Sequence, residues 1–316
     1  MGERSKEVDG VRISVVIPAY NSERTLHSCI RSVLNQSPQP WEIVIVDADS
    51  RDGTKKIAED LARRNPVIRY YNVGVKGRGI SSQKNYGAQV STGDFVLFVD
   101  SDWYLDRDVL ERLTNLAADG ALCLVAAALR KKLCREVSYI TRCRHVLWAS
   151  SSAQSYLENI PYKPGAPVGN PSFIRRDIFL RLGGFDAALP ALEDADLYAK
   201  CFLNGIHPAH GFDLGIHDQV ITLKTIVLRR IRSAHATWAF EQKWGRTSWG
   251  RRARVELKKR HNIVLRWLKG IMQVARRTPR LLPGALLISI VDGLSGITAR
   301  ILWALKKGSS SRIRQA

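Results

Sequence analysis

The chain has 316 residues, of which 45% are hydrophobic and 25% are charged, so it can bury a sizeable core and is typical of globular proteins rather than disordered ones. Its formal net charge is +20, and residues 217–316 contain 22 lysines and arginines against 4 acidic residues. This surplus predicts a polyanionic partner, such as an anionic membrane surface, nucleic acid or phosphate groups. Five cysteines without a CxxC pattern indicate reduced thiols and exclude a paired cysteine metal site.

The first hundred residues contain four apolar runs that alternate with helical patterns. The runs cover 13–17, 41–46, 67–71 and 95–99, and the helices between them are predicted over 22–36, 52–61 and 81–90. This alternation predicts a doubly wound α/β fold with a mostly parallel sheet. The glycines of the loop before the third helix do not fit G-x-G-x-x-G, so a dinucleotide cofactor is not expected.

Two carboxylates, Asp100 and Asp102, follow the fourth apolar run directly. Residues i and i+2 of an extended chain point to the same side, so both side chains can face one cation. Open α/β sheets bind ligands at the carboxyl ends of their strands, where this pair is expected to lie. The alternative at this point is an acidic turn in which Asp102 caps a following helix.

Further elements are predicted after this pair. Helical patterns cover 106–118, 178–182 and 192–204, an apolar run covers 121–129, and four prolines predict a loop over 161–171. The mixed composition of residues 131–154 supports no assignment.

The C-terminal third combines positive charge with apolar segments. Residues 251–277 carry apolar side chains at helical spacing among ten lysines and arginines, which is typical of a helix in a membrane interface. A solvated helix packed on the preceding domain is the alternative. Residues 281–305 are the most hydrophobic, but Pro283 and Asp292 favour an in-plane or re-entrant membrane helix over a spanning one. We expect an α/β domain over 1–218, a helical membrane-associating region over 219–305 and a disordered basic tail over 306–316.

Several stretches have the order and spacing of one known family. They are ISVVIPAYN at 13–21, VDADSRDGT at 46–54, KNYGA at 84–88, DSD at 100–102, GGFD at 183–186 and EDADL at 193–197. Together they resemble the family 2 glycosyltransferases of the GT-A fold, over residues 12 to about 217. The second stretch departs from the family's common Asp-Asp-Gly-Ser, since Ala48 stands in its second position.

The resemblance implies a site for a nucleotide-diphospho-sugar. Asp100 and Asp102 would hold Mg²⁺ or Mn²⁺, which neutralises the diphosphate as it leaves. An aromatic side chain and a carboxylate would bind the base, and a lysine would approach the phosphates; an ordinary surface lysine is the alternative. The residues implied in binding the nucleotide-sugar are Pro18, Ala19, Tyr20, Asn21, Asp47, Lys84 and Asp100.

The resemblance also implies an acceptor side. Asp194 would be the general base that deprotonates the acceptor hydroxyl, giving displacement with inversion. Glu193 and Asp196 would orient the acceptor or cap the helix, and pure charge stabilisation of a helix N-terminus is the alternative for the cluster. His217 would contact the metal or the diphosphate. The Gln-x-x-Arg-Trp motif of processive synthases is not matched at 242–244, which favours transfer of a single sugar.

We therefore expect a membrane-associated inverting glycosyltransferase that moves one sugar from a UDP- or GDP-sugar to a lipid-linked or glycan acceptor. Its expected location is the cytoplasmic face of the cell membrane, because the polar first ten residues predict no signal peptide and the basic region attracts anionic lipids. A C-terminal third that binds nucleic acid is one alternative, although the apolar segment 281–305 has no use there. A catalytically silent family member is another, against which the retained Asp100, Asp102 and Asp194 argue.

Overall fold

In the computed structural model the described residues are 10–77, 79–125, 139–143, 172–207, 214–218, 222–248, 250, 271–272, 274–276, 278–291 and 293–294. The chain divides into two compact units. The first unit comprises Met1–Leu124 and Asn170–Gly184, and the second comprises Val125–Gly169 and Phe185–Ala316. The division of the chain at residues 218 and 305 stays a prediction.

Strands are found in both units. Within the described residues they are β1 (Ile13–Ala19), β2 (Glu42–Asp47), β3 (Ile68–Asn72), β4 (Phe95–Phe98), β5 (Trp103–Leu105), β6 (Cys123–Val125), β7 (Ser172–Arg175) and β8 (Gly215–His217). A six-stranded sheet has the order β3-β2-β1-β4-β7-β6. Strands β1 to β4 are parallel, whereas β7 is antiparallel to β4. The predicted α/β fold with a mostly parallel sheet is confirmed.

Helices cover the sheet because their apolar residues recur on one face. In the first helix the buried residues Leu26, Cys29, Ile30 and Val33 have the i, i+3, i+4, i+7 spacing of such a face. The strands β1 and β2 are buried along their whole length, as expected when both faces of a parallel sheet are covered. Helices among the described residues include α1 (Leu26–Leu34), α2 (Thr54–Arg64), α3 (Ile80–Val90), α4 (Val109–Ala118), α5 (Arg176–Arg181), α6 (Glu193–Leu203) and α7 (Leu223–Trp244).

The second unit has a hydrophobic core of its own. Cys143, Ile226 and Ile288 form a buried cluster, against which Leu281 and Val291 pack. Residues 282–291 are helical and are called helix α8 below. The cluster therefore joins α7, α8 and the short helical segment 139–143.

The C-terminal predictions are only partly covered by the described residues. Most of the predicted basic helix 251–277, Asp292 and the tail 306–316 lie outside them, as does the predicted loop 161–171. Within the described part of the chain no helix is both long enough and apolar enough to cross a membrane. The described cysteines Cys29, Cys123, Cys143 and Cys201 are free and buried, and Cys134 lies outside the described residues.

Candidate active site

The carboxyl ends of three neighbouring strands meet at one edge of the sheet. Ala19, the last residue of β1, pairs with Asp47, the last residue of β2. On the other side of β1, Val99 continues from β4 and donates its N–H to the carbonyl of Val16 at 3.0 Å, and Asp100 follows. The end of β1, Asp47 and Asp100 therefore share the sheet edge at which α/β proteins bind their ligands.

The carboxylate of Asp47 faces inward at this edge. It is fully buried, and its Oδ1 accepts hydrogen bonds from the Ser50 N–H at 3.1 Å and the Ser50 hydroxyl at 2.6 Å. Its Oδ2 accepts a hydrogen bond from the Tyr70 hydroxyl at 3.0 Å. Burial, together with this carboxylate, raises the pKa of Tyr70, so the phenol remains a hydrogen-bond donor. In this arrangement Asp47 shapes the turn after β2.

The loop after β1 offers an exposed aromatic ring. Pro18 and Ala19 are buried inside the strand, whereas Tyr20 is 44% exposed. Asn21 has a left-handed backbone (φ +49°), which asparagine tolerates, and its N–H donates to the Ser50 hydroxyl at 2.9 Å. The turn that Asp47 organises thus fixes the loop that presents Tyr20.

A second contact connects this loop to the carboxylate loop. The hydroxyl oxygens of Ser22 and Ser101 lie 2.7 Å apart, and Ser101 stands between Asp100 and Asp102. The Ser22 N–H donates to the hydroxyl of Thr54 at the start of α2. The ends of β1, β2 and β4 are therefore joined by side-chain hydrogen bonds beyond the ladder itself.

Lys84 is a buried cation at this edge and not a surface lysine. Its side chain is fully buried, and its Nζ lies 3.3 Å from Oδ1 of Asp100, whose side chain is 25% exposed. Burying a lysine is costly unless the ammonium is paired, and the carboxylate meets that need. The ammonium also places positive charge where a diphosphate would lie beside Asp100.

Helix α3 carries Lys84 to this position because two of its residues fit closely against β1. The buried amide of Gln83 donates to the carbonyls of Ala19 at 2.7 Å and Val46 at 2.8 Å, which satisfies both strand ends. A Cβ at Gly87 would lie 2.3 Å from a methyl carbon of Val16, so only glycine permits this approach. Gln83 is a site-building residue that the sequence analysis missed, and nothing in its local pattern marks it.

Asp102 is half-buried and lies near Asp100. The buried thiol of Cys29 is affected by both carboxylates. Burial raises the pKa of Cys29, and the negative charges of Asp102 and Asp100 raise it further. The Cys29 thiol donates a weak hydrogen bond to the Asp100 carbonyl at 3.7 Å. The thiol is therefore protonated. Because both carboxylates raise the pKa of this one thiol, both lie near Cys29.

The residues present fit a cation that shares its ligands with a substrate. No group of three or more His, Cys, Asp or Glu side chains suited to a metal ion occurs among the residues that the structure describes. Oδ1 of Asp100 is buried and has the Lys84 ammonium at 3.3 Å as its partner, and Asp102 supplies a second carboxylate. Mg²⁺ is commonly held by one or two carboxylates together with substrate phosphates and water. The donor set at this edge is of that kind.

In the second unit, the first turn of α6 carries Glu193, Asp194 and Asp196. Glu193 and Asp194 are half-buried and Asp196 is fully buried. Carboxylates are stabilised at a helix N-terminus by the exposed N–H groups there. Leu192 precedes the helix in a left-handed conformation (φ +67°), which costs a residue with a Cβ about 1–2 kcal/mol. The chain thus enters α6 through a strained residue directly before the acidic turn.

Asp196 is an anchor between helices. Its Oδ1 accepts hydrogen bonds from Lys243 Nζ at 2.7 Å and from Trp244 Nε1 at 2.8 Å, both at the end of α7. Its Oδ2 lies 3.3 Å from Lys200 Nζ. The carboxylate of Asp196 therefore faces the interior of the second unit, and its predicted acceptor-side role stays a prediction.

The same lysine binds a second carboxylate. Lys243 Nζ lies 2.6 Å from Oδ2 of Asp186, the last residue of the Gly-Gly-Phe-Asp turn. This hydrogen bond lowers the pKa of Asp186. Burial alone lowers the pKa of Lys243, but its bonds to Asp186 and Asp196 raise it above the ordinary value. We call this Asp186–Lys243–Asp196 arrangement the lysine bridge; it holds the turn and the start of α6 together.

His217 lies in β8 of the second unit and is half-buried. It is the last residue of this short strand, and its predicted contact to a metal or diphosphate stays a prediction. The structure brings together the predicted donor-side residues within the first unit.

Within the second unit, Asp194 lies on the same helical turn as Asp196 of the lysine bridge. The bridging residue Lys243 was not predicted from the sequence. The Lys-Trp pair at 243–244 was the available signal.

Solved structures share this fold. The mannosyltransferase PcManGT from Pyrobaculum calidifontis, in complex with GDP-Man and Mn2+, is 19% identical with a TM-score of 0.56, over 98% of this chain and 84% of that one. S. aureus TarS 1-349 in complex with UDP-GlcNAc is 17% identical with a TM-score of 0.53, over 94% and 92% of the two chains. At these identities the likeness establishes the fold alone. By its fold, the chain is therefore an α/β protein with a GT-A-like sheet.

The family follows from the sequence match. Residues 14–183 match the model of the family described as Glycosyl transferase family 2, and since this is more than half of the chain, the chain belongs to that family. The predicted family is confirmed.

Curated relatives match a shorter segment. An uncharacterized glycosyltransferase, EpsJ, from Bacillus subtilis is 32% identical over 128 residues, which are 40% of this chain and 37% of that protein. The GalNAc(5)-diNAcBac-PP-undecaprenol beta-1,3-glucosyltransferase of Campylobacter jejuni is 31% identical over 109 residues, 34% of this chain and 35% of that protein. The match thus spans about a third of the length of these relatives.

Proposed function

We propose that the chain transfers a single sugar, with inversion, from a nucleotide-diphospho-sugar to a lipid-linked or glycan acceptor at a membrane surface. Membership of glycosyl transferase family 2 supports the sugar transfer. The observation that carries the donor side is the buried ion pair of Lys84 and Asp100 at the carboxyl edge of the sheet, beside Asp102. The exposed ring of Tyr20 lies on the loop joined to this edge.

On the donor side each residue has a task that its chemistry allows. Tyr20 stacks on the base, and the loop of Asn21 holds the nucleoside, while Asp47 keeps that loop in place through Ser50. The buried Lys84 ammonium attracts the diphosphate. The donors named for two structural neighbours, GDP-Man and UDP-GlcNAc, support a nucleotide-sugar without choosing its base.

Asp100 and Asp102 would hold Mg²⁺ or Mn²⁺. When bound, such a cation neutralises the diphosphate and makes it a better leaving group. The Mn2+ named with PcManGT supports this choice of cation. Lys84 already neutralises part of the Asp100 charge, so we expect the cation to bind weakly until the nucleotide adds its own oxygens.

On the acceptor side, Asp194 is proposed as the general base. The acceptor hydroxyl oxygen forms a bond to the anomeric carbon as the bond from that carbon to the diphosphate oxygen breaks. The hydroxyl proton passes to the Asp194 carboxylate, and the nucleoside diphosphate leaves. Attack from the face opposite the leaving group inverts the anomeric carbon. Glu193 is proposed to orient the acceptor, and Asp196 to fix the helix through the lysine bridge.

The proposed acceptor and location are linked. An undecaprenol-linked substrate is named for the Campylobacter jejuni relative, which supports a lipid-linked acceptor here. The positive charge of residues 217–316 supports an anionic membrane surface, since each lysine or arginine near such a surface contributes about 1 kcal/mol. We place the protein at the cytoplasmic face of the cell membrane on these grounds.

Thermal unfolding with nucleotides tests the donor side. We expect UDP or GDP to raise the melting temperature, and Mn²⁺ to increase the effect, because a ligand at about 100 times its Kd adds about 2.7 kcal/mol of stability. Asp100→Asn should lose the Mn²⁺-dependent part. Asp94→Asn is the matched control, because Asp94 lies at the opposite end of β4 and binds Arg12. If neither nucleotide shifts the wild-type protein with Mn²⁺, the proposed donor is wrong.

A further inference from the structure

Helix α8, together with Leu294 just beyond its defined range, exposes a row of large apolar side chains. Leu286, Leu287, Ile290 and Leu294 are 41%, 42%, 57% and 61% exposed. With the exposed Pro283 they fall at i, i+3, i+4, i+7 and i+11, which is one face of a helix. We call these five residues the leucine face. Scattered exposed apolar residues are ordinary, but a continuous face of them marks a surface that binds something apolar.

The opposite face of α8 is packed, which fixes the direction of the leucine face. Ala285 and Ile288 are fully buried, and a Cβ at Gly284 would lie 2.4 Å from the sulfur of Cys143. The Gly284 N–H donates to the Tyr139 hydroxyl at 3.2 Å. The helix therefore packs Gly284, Ala285 and Ile288 inward and leaves the leucine face outward, so a rotation that buried the leucine face would break this packing.

Charge favours a lipid surface over a protein copy. Exposed Arg276 and Arg280 precede α8, within a region where 22 basic residues oppose 4 acidic ones. A second copy would bring the same positive charge to the contact, whereas an anionic bilayer offers both hydrocarbon and negative headgroups. Amphipathic helices of this composition lie with their apolar face in the boundary between headgroups and acyl chains.

We infer that the leucine face is the surface by which the protein inserts into the interface of an anionic membrane, with α8 in the membrane plane. This inference rests on the proposed function in that it names the part that meets the membrane. It adds that basic residues draw the protein to the surface while Leu286, Leu287 and Ile290 hold it there. The acceptor's lipid anchor then lies in the same bilayer as α8.

Vesicle flotation of the full chain tests the assignment. Wild type should float with phosphatidylcholine vesicles that contain phosphatidylglycerol, and the double variant Leu286→Ser, Ile290→Ser should bind at least about tenfold more weakly. The double variant Leu203→Ser, Leu228→Ser is the matched control, since both leucines are exposed elsewhere in the second unit. Unchanged binding of the leucine-face variant would overturn the inference.

A fluorescent probe gives a readout of insertion that does not depend on affinity. A dye attached to Ile290→Cys should shift to the blue on anionic vesicles, and a dye at Leu228→Cys should not. Equal shifts at both sites, or none, contradict the inference. So does a dimer without lipid that the leucine-face variant abolishes, because the face then binds a second copy.

Two further arms separate this inference from the proposed function. Nucleotide-induced thermal shifts of the leucine-face variant should equal those of wild type, because the changes lie in the second unit. If the wild type shows nucleotide binding but no vesicle binding, the membrane surface is wrong while the donor proposal stands. If the leucine face inserts into vesicles but no nucleotide binds, the proposed function is wrong while the inference about the leucine face stands. A gel shift with RNA at matched salt tests for a nucleic-acid partner. RNA binding without vesicle binding would contradict both the membrane inference and the membrane location in the proposed function.

Discussion

Replacing Lys243 by methionine removes an ammonium and keeps an apolar stem of similar length. In the wild type this ammonium lies 2.6 Å from Asp186 and 2.7 Å from Asp196. The variant leaves the fully buried carboxylate of Asp196 with Trp244 at 2.8 Å and Lys200 at 3.3 Å. The carboxylates of Asp186 and Asp196 then lose the ammonium that both of them bind.

The expected loss of stability follows from the burial of each partner. Breaking a buried ion pair from one side costs about 3–5 kcal/mol, because the remaining charge stays buried. Here the side chains of Lys243 and Asp186 are 32% and 27% exposed, so water can partly replace the lost bond at Asp186. We expect Lys243→Met to lower the free energy of unfolding by about 2–3 kcal/mol, most of it from Asp196.

The pH dependence has a definite sign. The pKa of Asp186 is lowered in the folded state, so its contribution is present above the unfolded pKa of about 3.9 and is lost as the pH falls through the folded value. The pKa of Lys243 is raised, so its contribution is present below the unfolded pKa of about 10.4 and is lost as the pH rises through the folded value. The stability gap between wild type and variant should be largest between about pH 5 and pH 10.

Urea unfolding at several pH values measures this gap. Lys224→Met is the matched control, because Lys224 is an exposed lysine of the same helix and should change stability by less than about 0.5 kcal/mol. Lys243→Arg should retain part of the stability because it keeps the charge. A loss below about 0.5 kcal/mol in Lys243→Met, or a gap that does not vary with pH, would refute the reasoning about the lysine bridge.

Three further predictions concern the site residues. Asp194→Asn should abolish sugar transfer while nucleotide-induced thermal shifts stay unchanged; near-normal turnover would remove Asp194 as the base. Asp100→Asn and Lys84→Met should each destabilise by about 2 kcal/mol or more, and the double variant by less than their sum, because each single change leaves one buried charge behind; additive losses in urea unfolding would contradict the pairing. Leu192→Val should lower stability by about 1 kcal/mol and Leu192→Gly should not, because the left-handed backbone strains a β-branched residue most; equal unfolding midpoints would show that this backbone is not strained.

The central sheet was predictable because its signals are local. Apolar runs of five or six residues predicted the buried strands, and the carboxylates after them fell at the sheet edge because parallel strands end together. The predicted strand at 67–71 is Ile68–Asn72 in the structure, a difference of one residue at each end. Boundaries of this kind depend on hydrogen bonds between strands, which no local pattern contains.

The orientation of individual side chains was not predictable for the same reason. The burial of Asp47 depends partly on Tyr70, 23 positions later, which no local pattern contains, and its predicted role in binding the base stays a prediction. Asp196 faces Trp244, 48 positions later, so its burial could not be inferred from the acidic turn. Lys84 had an ordinary surface position as its alternative, and only the approach of α3 to β1 at Gly87 shows why it is buried.

The hydroxyl contact between Ser22 and Ser101 has a thermodynamic consequence for the donor site. It connects the loop that presents Tyr20 to the loop between the two carboxylates. A ligand that changes the conformation of one loop therefore also changes the free energy of the other. Linkage requires such an effect to be reciprocal, so nucleotide and cation should strengthen each other's binding by the same factor. Replacing Ser101 by alanine should reduce that shared factor even though the variant loses no proposed ligand contact.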